Sequence, residues 1–438
     1  MSRDYRHGLG LFCLWLGALA VPLSATSIQL SPLVGRRTQG LYRASSYNRV
    51  VDQYSRQAEE DYTVRLGSLR LQLSLALQAM FDDNVTLTES GDKESAVSLT
   101  PMLYSEIYWP INPGFQVYSG ISLGYKWYAY GEDVSDDEGF ILSGTDGALN
   151  SQLGFDMRLG QNGLLSASEE YYRDLDAFAV GGSADSSRYT INRNLLNLQY
   201  RNEFTDYTSG TAKVTHTNQW ADESEYAAQD HFSDFLDVAV LTFLNRDFQA
   251  GPYGRIGMFS YTEDLHNDSD EFEGGLAMVY GQTERLVLSG SVGYSKVSFD
   301  TENNPAATDE YSGLTTQLAI RYSNNEAMTH RLVTSYGAEQ GALSQNVNFA
   351  REWMTQYTLS WTLRDNLLVN GDLGYISTRE SDDGGNYDLY RVGVGLGYRL
   401  TRDTTVDLRY LHDWSDADEG SRESYGRNAV ILRLVHRL

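Results

Sequence analysis

The sequence predicts an all-β fold, a transmembrane antiparallel up-and-down β-barrel of about 18 strands, with 16 as the alternative. Three observations predict it. Residues 69–77 alternate leucine with polar or small residues, which gives an extended strand one wholly aliphatic face. Similar alternating stretches recur from about residue 64 to the last residue, and the segments that join them are alternately short and long.

The composition suits strands and tight turns. The chain has 438 residues, with only 7 Pro against 40 Gly and 31 Tyr. Its formal net charge of −25 argues against a nucleic-acid partner, because a phosphate backbone needs a basic surface. No stretch approaches the roughly 18 consecutive apolar residues of a transmembrane helix, so an exported chain of this kind predicts either a soluble β protein or an outer-membrane barrel.

The first 25 residues predict a signal peptide. Two arginines precede an apolar core at residues 9–21, and a plausible cleavage site follows Ala25. An uncleaved membrane anchor is the alternative, although the apolar core is short for a span. Cys13 is the only cysteine and lies inside this segment, so we expect no disulfide in the mature chain.

The rest of the chain divides into a periplasmic N-terminal arm, residues 26–63, and the barrel, residues 64–438. The predicted short turns include Pro110–Pro113, Gly160–Gly163 and Gln249–Pro252, whereas the long acidic loops include 82–94, 222–230 and 300–310. Such alternation is expected when antiparallel strands cross a slab with tight turns on one side. A soluble sandwich, propeller or β-helix has no reason to sort its loops in this way.

Charged residues on the strands identify the predicted pore-lining face. A charge on the lipid face costs about 2–4 kcal/mol at the midplane, so these side chains should face water. The candidates are Arg70, Lys126, Arg158, Lys213, Arg321, Arg391, Arg399, Arg409, Arg427, Arg433 and Arg437. By the same argument, Glu352, Asp372 and Asp407 are predicted to face the lumen. A basic excess predicts anion preference; equally, the arginines could pair with lumenal carboxylates and brace the wall.

Aromatic residues gather near the strand ends, as in Trp127–Tyr130 and at Trp353 and Trp414. This placement is typical of interfacial girdles, where an amphipathic ring lies between apolar and wet layers. For Tyr118, Tyr128 and Tyr130 the alternative is carbohydrate stacking inside the pore.

Three short stretches carry a family resemblance: Phe81–Val85, Trp109–Asn112 and Leu123–Tyr128. They resemble the β-barrel porin 2 family, outer-membrane barrels associated with capsular or exopolysaccharide export, most strongly over residues 64–180. The resemblance implies a Gram-negative outer-membrane barrel and export of such a polymer, and it implies no catalytic residue. One departure is the last residue, Leu438, where many outer-membrane barrels have an aromatic residue.

The sequence predicts no catalytic, metal or cofactor site. Gly120–Gly124 matches the G-x-S-x-G motif, but that motif needs a strand-to-helix turn, and here it lies inside a predicted strand. A barrel-borne hydrolase would need Ser122 near His216 or His412. The acidic residues around 133–138 and 264–271 are predicted to be solvated loops that limit self-association, rather than Ca²⁺ or Mg²⁺ sites.

We therefore predict an outer-membrane porin-like channel for polar solutes, in its specific form an exporter of an anionic exopolysaccharide through a basic lumen. The alternatives are a structural or assembly barrel closed by its arm or loops, and the hydrolase. Expected partners are outer-membrane lipid and lipopolysaccharide, the barrel-assembly machinery and polysaccharide secretion components. Closure of the first strand on the last would place Arg70 beside Arg433 and Arg437, making that seam the most basic part of the pore.

Overall fold

The computed structural model describes residues 62–438, apart from 88–92, 131–137, 143–150, 176–189, 225–226, 228–229, 264–265, 284, 304–306, 326, 341–346, 383–384 and 419–423. The predicted signal peptide, nearly all of the predicted arm and most of the acidic segment at 133–138 lie outside the described residues.

Twenty strands form one antiparallel sheet, and 18 of them close into a barrel. The last strand pairs with β2, which closes the ring and confirms the predicted number of barrel strands. The two remaining strands, β1 and β5, are three-residue additions to β2 and β4. The strands are β1 (Val64–Leu66), β2 (Leu69–Asp82), β3 (Ala96–Asn112), β4 (Phe115–Tyr130), β5 (Gly139–Ile141), β6 (Ser151–Leu159), β7 (Gly163–Asp174), β8 (Ile191–Glu203), β9 (Thr208–Ala221), β10 (His231–Asn245), β11 (Phe248–Tyr261), β12 (Ser269–Thr283), β13 (Leu286–Phe299), β14 (Glu310–Asn325), β15 (Met328–Glu339), β16 (Ala350–Arg364), β17 (Leu367–Glu380), β18 (Asn386–Arg399), β19 (Thr404–Ala417) and β20 (Tyr425–Arg437).

The connections between barrel strands alternate in length, as the sequence predicts. Those on one side, here called the tight-turn side, leave only two to four residues between successive strands: 113–114, 160–162, 204–207, 246–247, 284–285, 326–327, 365–366 and 400–403. Those on the other side are longer, and the shortest of them is 381–385. The tight-turn side is the periplasmic side of such a barrel, and the long-loop side is the extracellular mouth.

Two predicted turns are wrong in position, because the prolines within them do not end these strands. Pro110 lies inside β3 and Pro252 lies inside β11, each in register with a residue of the next strand. The turn before β11 instead begins at Asn245, whose side-chain oxygen accepts a hydrogen bond from the Asp247 amide at 3.0 Å. Proline costs a strand one ladder donor, and these strands tolerate that loss.

The two faces of the barrel wall have opposite character. On β2, Leu75 and Leu77 point outward and are 47% and 48% exposed, while Gln72 and Gln78 point inward and are 2% and 1% exposed. The outward apolar face continues around the ring, for example at Ile121 on β4. A closed sheet with a continuous exposed apolar exterior satisfies its backbone internally and needs hydrocarbon around it. The protein is an outer-membrane β-barrel.

Across the described ranges, no helix is both long enough and apolar enough to cross a membrane.

The extracellular loops between β11 and β16 are tied to one another. The Asn267 amide donates to the Asn348 side-chain oxygen at 3.2 Å, and the Asn348 amide donates to the Thr308 carbonyl at 2.8 Å. His266 lies in this cluster, 3% exposed, with its ring 4.7 Å from that of Tyr261. Burial lowers the pKa of His266 below its ordinary value, although a backbone hydrogen bond with Val347 partly opposes the shift.

Candidate functional site on the inner wall

The eleven predicted pore-lining residues all occupy inward-facing positions of the strands. Their surroundings differ. Four arginines on β18, β19 and β20 pair with carboxylates, and the others are distributed around the ring.

The extracellular end of the seam between β18 and β2 holds a buried ionic cluster. Arg391 donates to both carboxylate oxygens of Asp413, from Nε at 2.5 Å and from Nη2 at 2.7 Å. Arg427 donates from Nε to Asp82 at 2.7 Å and also lies 3.8 Å from Asp413. Two guanidinium groups and two carboxylates thus neutralise one another across four strands.

Two further pairs follow toward the periplasm. Arg409 Nη2 donates to Asp372 at 2.8 Å, and Arg433 Nε lies 3.7 Å from Asp407. Glycine opposite the first pair makes room for it, since a side chain on Gly393 would collide with the Asp372 carboxylate. For these four arginines the structure favours the interpretation that they pair with lumenal carboxylates and brace the wall. It does not favour an unpaired basic lining.

The periplasmic end of the seam differs from the predicted arrangement. Arg437 lies opposite Ser74, whereas Arg70 lies beyond the last pair that β2 and β20 form, opposite Tyr108 on β3. Its guanidinium carbon lies 5.8 Å from the centre of the Tyr108 ring. Arg70 is therefore not adjacent to Arg437, because β20 ends before reaching its level.

The wall halfway around the ring, on β10 to β12, is rich in acid. Arg255 donates from Nε to Asp237 at 2.6 Å, while Glu273 stands opposite it on β12 and Glu271 lies two residues away on the same strand. Tyr253 donates its hydroxyl to Glu273 at 2.6 Å. β11 and β12 lie nine strands from the β20–β2 closure, so this acid-rich wall faces the arginine-rich seam across the lumen.

Two basic residues stand near acid or aromatic groups elsewhere on the wall. Lys213 lies in register with Asp237, and thus belongs to the acid-rich wall. Lys126 is fully buried, with its Nζ atom 5.0 Å from the centre of the Tyr128 ring.

Arg321 stands directly opposite Arg331 across the β14–β15 ladder, and both point inward. Like charges placed opposite one another on a sheet repel. Arg158 and Arg399 lie at the periplasmic ends of their strands and are exposed.

Sequence reasoning missed most of the inward carboxylates, and with them the balance of charge on the wall. The alternation that places the arginines inward also places the following residues there: Asp82, Glu106, Asp156, Glu170, Asp237, Glu271, Glu273 and Asp413. The same alternation also places Arg255 and Arg331 on the inner face. The predicted basic excess arose because arginines were counted more completely than acids.

The structure separates the residues of the hydrolase alternative. Ser122 points inward and is 1% exposed, whereas His216 points outward and its Nδ1 lies 2.8 Å from Asp234. His412 is outward as well, next to Trp414 with ring centres 5.3 Å apart. The described residues contain no group of three or more His, Cys, Asp or Glu placed to hold a metal ion.

Of the tyrosines considered for carbohydrate stacking, Tyr130 is 65% exposed at the extracellular end of β4, whereas Tyr118 and Tyr128 pack against the wall. The Tyr118 ring covers Gly154, where a side chain would collide with it, and Tyr128 is only 6% exposed. Neither presents an open ring face of the kind that a sugar would stack on.

Comparisons with known proteins found no matching family model and no matching curated protein. Among solved structures, the chain is similar to OccK2 (OpdF) of Pseudomonas aeruginosa in complex with glucuronate, at 10% identity over 84% of this chain and 98% of that chain, with a TM-score of 0.46. It is similar to a BenF-like porin from Pseudomonas fluorescens Pf-5, at 10% identity over 84% and 99%, with a TM-score of 0.46. It is also similar to the outer-membrane protein OpdK of Pseudomonas aeruginosa, at 12% identity over 84% and 99%, with a TM-score of 0.44.

Proposed function

We propose that the protein is an outer-membrane channel for small polar solutes. The observation that supports this is the inner wall, where charged and polar side chains line the face opposite the lipid. An 18-stranded barrel is in the size range whose lumen admits water. Charged groups of both signs line this wall, and the seam arginines are paired with carboxylates, so the wall offers polar contacts to solutes of either charge.

Export of an anionic exopolysaccharide is the more specific prediction from the sequence, and only the family resemblance supports it. Four of the arginines that would guide a polyanion are neutralised by carboxylates at 2.5–3.7 Å. We therefore favour the small-solute channel. No feature of the described residues favours the closed structural barrel or the hydrolase.

Planar-bilayer recording of the purified, refolded protein tests the proposal. We expect stepwise conductance that rises with KCl concentration. Glu271→Gln combined with Glu273→Gln should shift the reversal potential toward anion preference, and Arg321→Gln should shift it toward cation preference. Arg351→Gln, on the outer face, is the matched control and should leave selectivity unchanged.

Absence of conductance from correctly folded protein would contradict the channel. Deleting residues 26–62 then separates the remaining outcomes, because a plugged channel should gain conductance and a structural barrel should not. Strong anion preference, together with block of the conductance by a long anionic oligosaccharide, would favour the export version.

A further inference from the structure

The outer face of β16 to β19 carries a row of aromatic rings near the extracellular mouth. The ring centres of Trp353 and Tyr375 are 6.2 Å apart, those of Tyr375 and Tyr390 are 5.0 Å apart, and those of Tyr390 and Trp414 are 4.8 Å apart. Trp353 is 53% exposed and donates its indole N–H to Thr334. Amphipathic rings of this kind settle where hydrocarbon meets head groups, so the row marks the outer membrane interface.

Two arginines lie directly above this row. Arg351 and Arg379 stand opposite one another across the β16–β17 ladder, and both point away from the barrel. Arg351 precedes Trp353 by two residues, a distance of roughly 6–7 Å along a strand. Because barrel strands are tilted, the height above the rings is somewhat smaller. The two guanidinium groups thus lie at the level of lipid head groups rather than in the hydrocarbon.

The two side chains are held differently. Arg379 donates to the Thr378 and Tyr387 carbonyls at 2.8 and 3.2 Å and pairs with Asp388 at 3.0 Å, which fixes its position. Arg351 is exposed, and its guanidinium makes no hydrogen bond or ion pair with any described residue. Like charges directly opposite one another destabilise a ladder, and among the described residues Asp388 offsets only the Arg379 side of this pair, so an external anion beside Arg351 would stabilise it.

We propose that Arg351 and Arg379 bind a phosphate group of the outer-leaflet glycolipid, with Trp353 and Tyr375 packed beside its sugar and proximal acyl carbons. A guanidinium group presents a planar fork that matches phosphate oxygens, and phosphate is the anion that the outer leaflet offers at this height. Arg379 is the pre-positioned half of the site, and Arg351 is the half that closes on the ligand.

The test measures binding of purified lipopolysaccharide to the detergent-solubilised full-length protein by native mass spectrometry. We expect Arg351→Gln to lower the affinity about fivefold, the effect of one basic side chain at an anionic surface. The control is Lys296→Gln. Lys296 is outward, near the same end of the barrel and 51% exposed, but it is paired with Glu310 at 2.8 Å. The Lys296→Gln substitution should leave the affinity for lipopolysaccharide unchanged.

Equal binding by wild type and Arg351→Gln would overturn the proposal, as would an equal loss in Lys296→Gln. Dephosphorylated lipid A should bind the wild type no better than it binds Arg351→Gln, and a persisting difference would contradict a phosphate site. Vesicles of phosphatidylglycerol provide a further arm. If Arg351→Gln lowers binding to them as much as to lipopolysaccharide, the site is a general anionic contact and the glycolipid assignment is wrong.

Discussion

Asp413 is the carboxylate on which the ionic cluster of the seam depends, and Asp413→Asn should destabilise the barrel. The substitution keeps the shape of the side chain and removes its charge. Arg391 then loses the carboxylate that accepts two of its hydrogen bonds, at 2.5 and 2.7 Å. Arg427 is less affected, since it retains Asp82 at 2.7 Å.

The side chains of Arg391 and Asp413 are only 8% and 5% exposed, so solvent screening does little to soften the loss. Removing one partner of a buried ion pair costs about 3–5 kcal/mol, because the other charge stays buried. We expect a loss of about 3 kcal/mol in the free energy of unfolding, the lower end of that range, because one amide oxygen remains as an acceptor. Replacing both partners, as Arg391→Met with Asp413→Leu, should recover most of this loss.

Urea unfolding of protein refolded into phospholipid vesicles, followed by tryptophan fluorescence, measures the effect. Arg158→Gln is the control, because Arg158 is inward but exposed at a strand end, and its substitution should change stability by less than about 0.5 kcal/mol. The reasoning fails if Asp413→Asn costs less than about 1 kcal/mol, or if the double variant is as unstable as the single one.

Three other predictions concern the lipid face, a close contact and the loop cluster. Leu75→Lys, near the middle of its strand, should lower stability by about 2–4 kcal/mol in urea titrations, whereas Leu66→Lys near the periplasmic end should cost about 0–1 kcal/mol. Gly393→Ala should cost about 1–3 kcal/mol, because its methyl group would displace the Asp372 carboxylate; thermal unfolding measures it. Burial lowers the pKa of His266, so the unfolded chain binds its proton first and stability should fall as the pH drops below about 6.5. His266→Gln should flatten that fall in urea midpoints measured across the same range, and an unchanged slope would refute the assignment.

The fold was predictable because its determinants are local. Leu69 to Leu77 shows a period of two within nine residues, and loop length can be read from the spacing of such stretches without knowing how they pair. The misplaced turns at Pro110 and Pro252 show the limit of this reading. Proline is a strong turn signal on average, but a barrel strand accepts it wherever its N–H is dispensable.

The partners on the inner wall could not be predicted in the same way. Alternation assigns a face to Arg391 and to Asp413, but whether they meet depends on the register of β18 against β19, which the turn at 400–403 sets. The same holds for Arg255 and Asp237 on β10 and β11. The face on which a side chain lies follows from alternation within its own strand, whereas an ion pair depends on how two strands are aligned.

The outward apolar residues of β2 and β20 do not by themselves determine how these two strands align where the barrel closes. Leu77 lies opposite Leu434, and Phe81 lies opposite Val430, and sliding β20 along β2 by two residues in either direction would bring one of the two opposite Leu432 instead. Such a slip keeps every side chain on its own face of the wall, so the apolar surface in contact with lipid hardly changes. The polar residues at the mouth do discriminate: only the observed alignment lets Arg427 reach Asp82 and Asn428 reach Asp83, the latter at 2.6 Å. These contacts join residues 345 positions apart in the sequence and select one of several nearly equivalent ways to finish the ring.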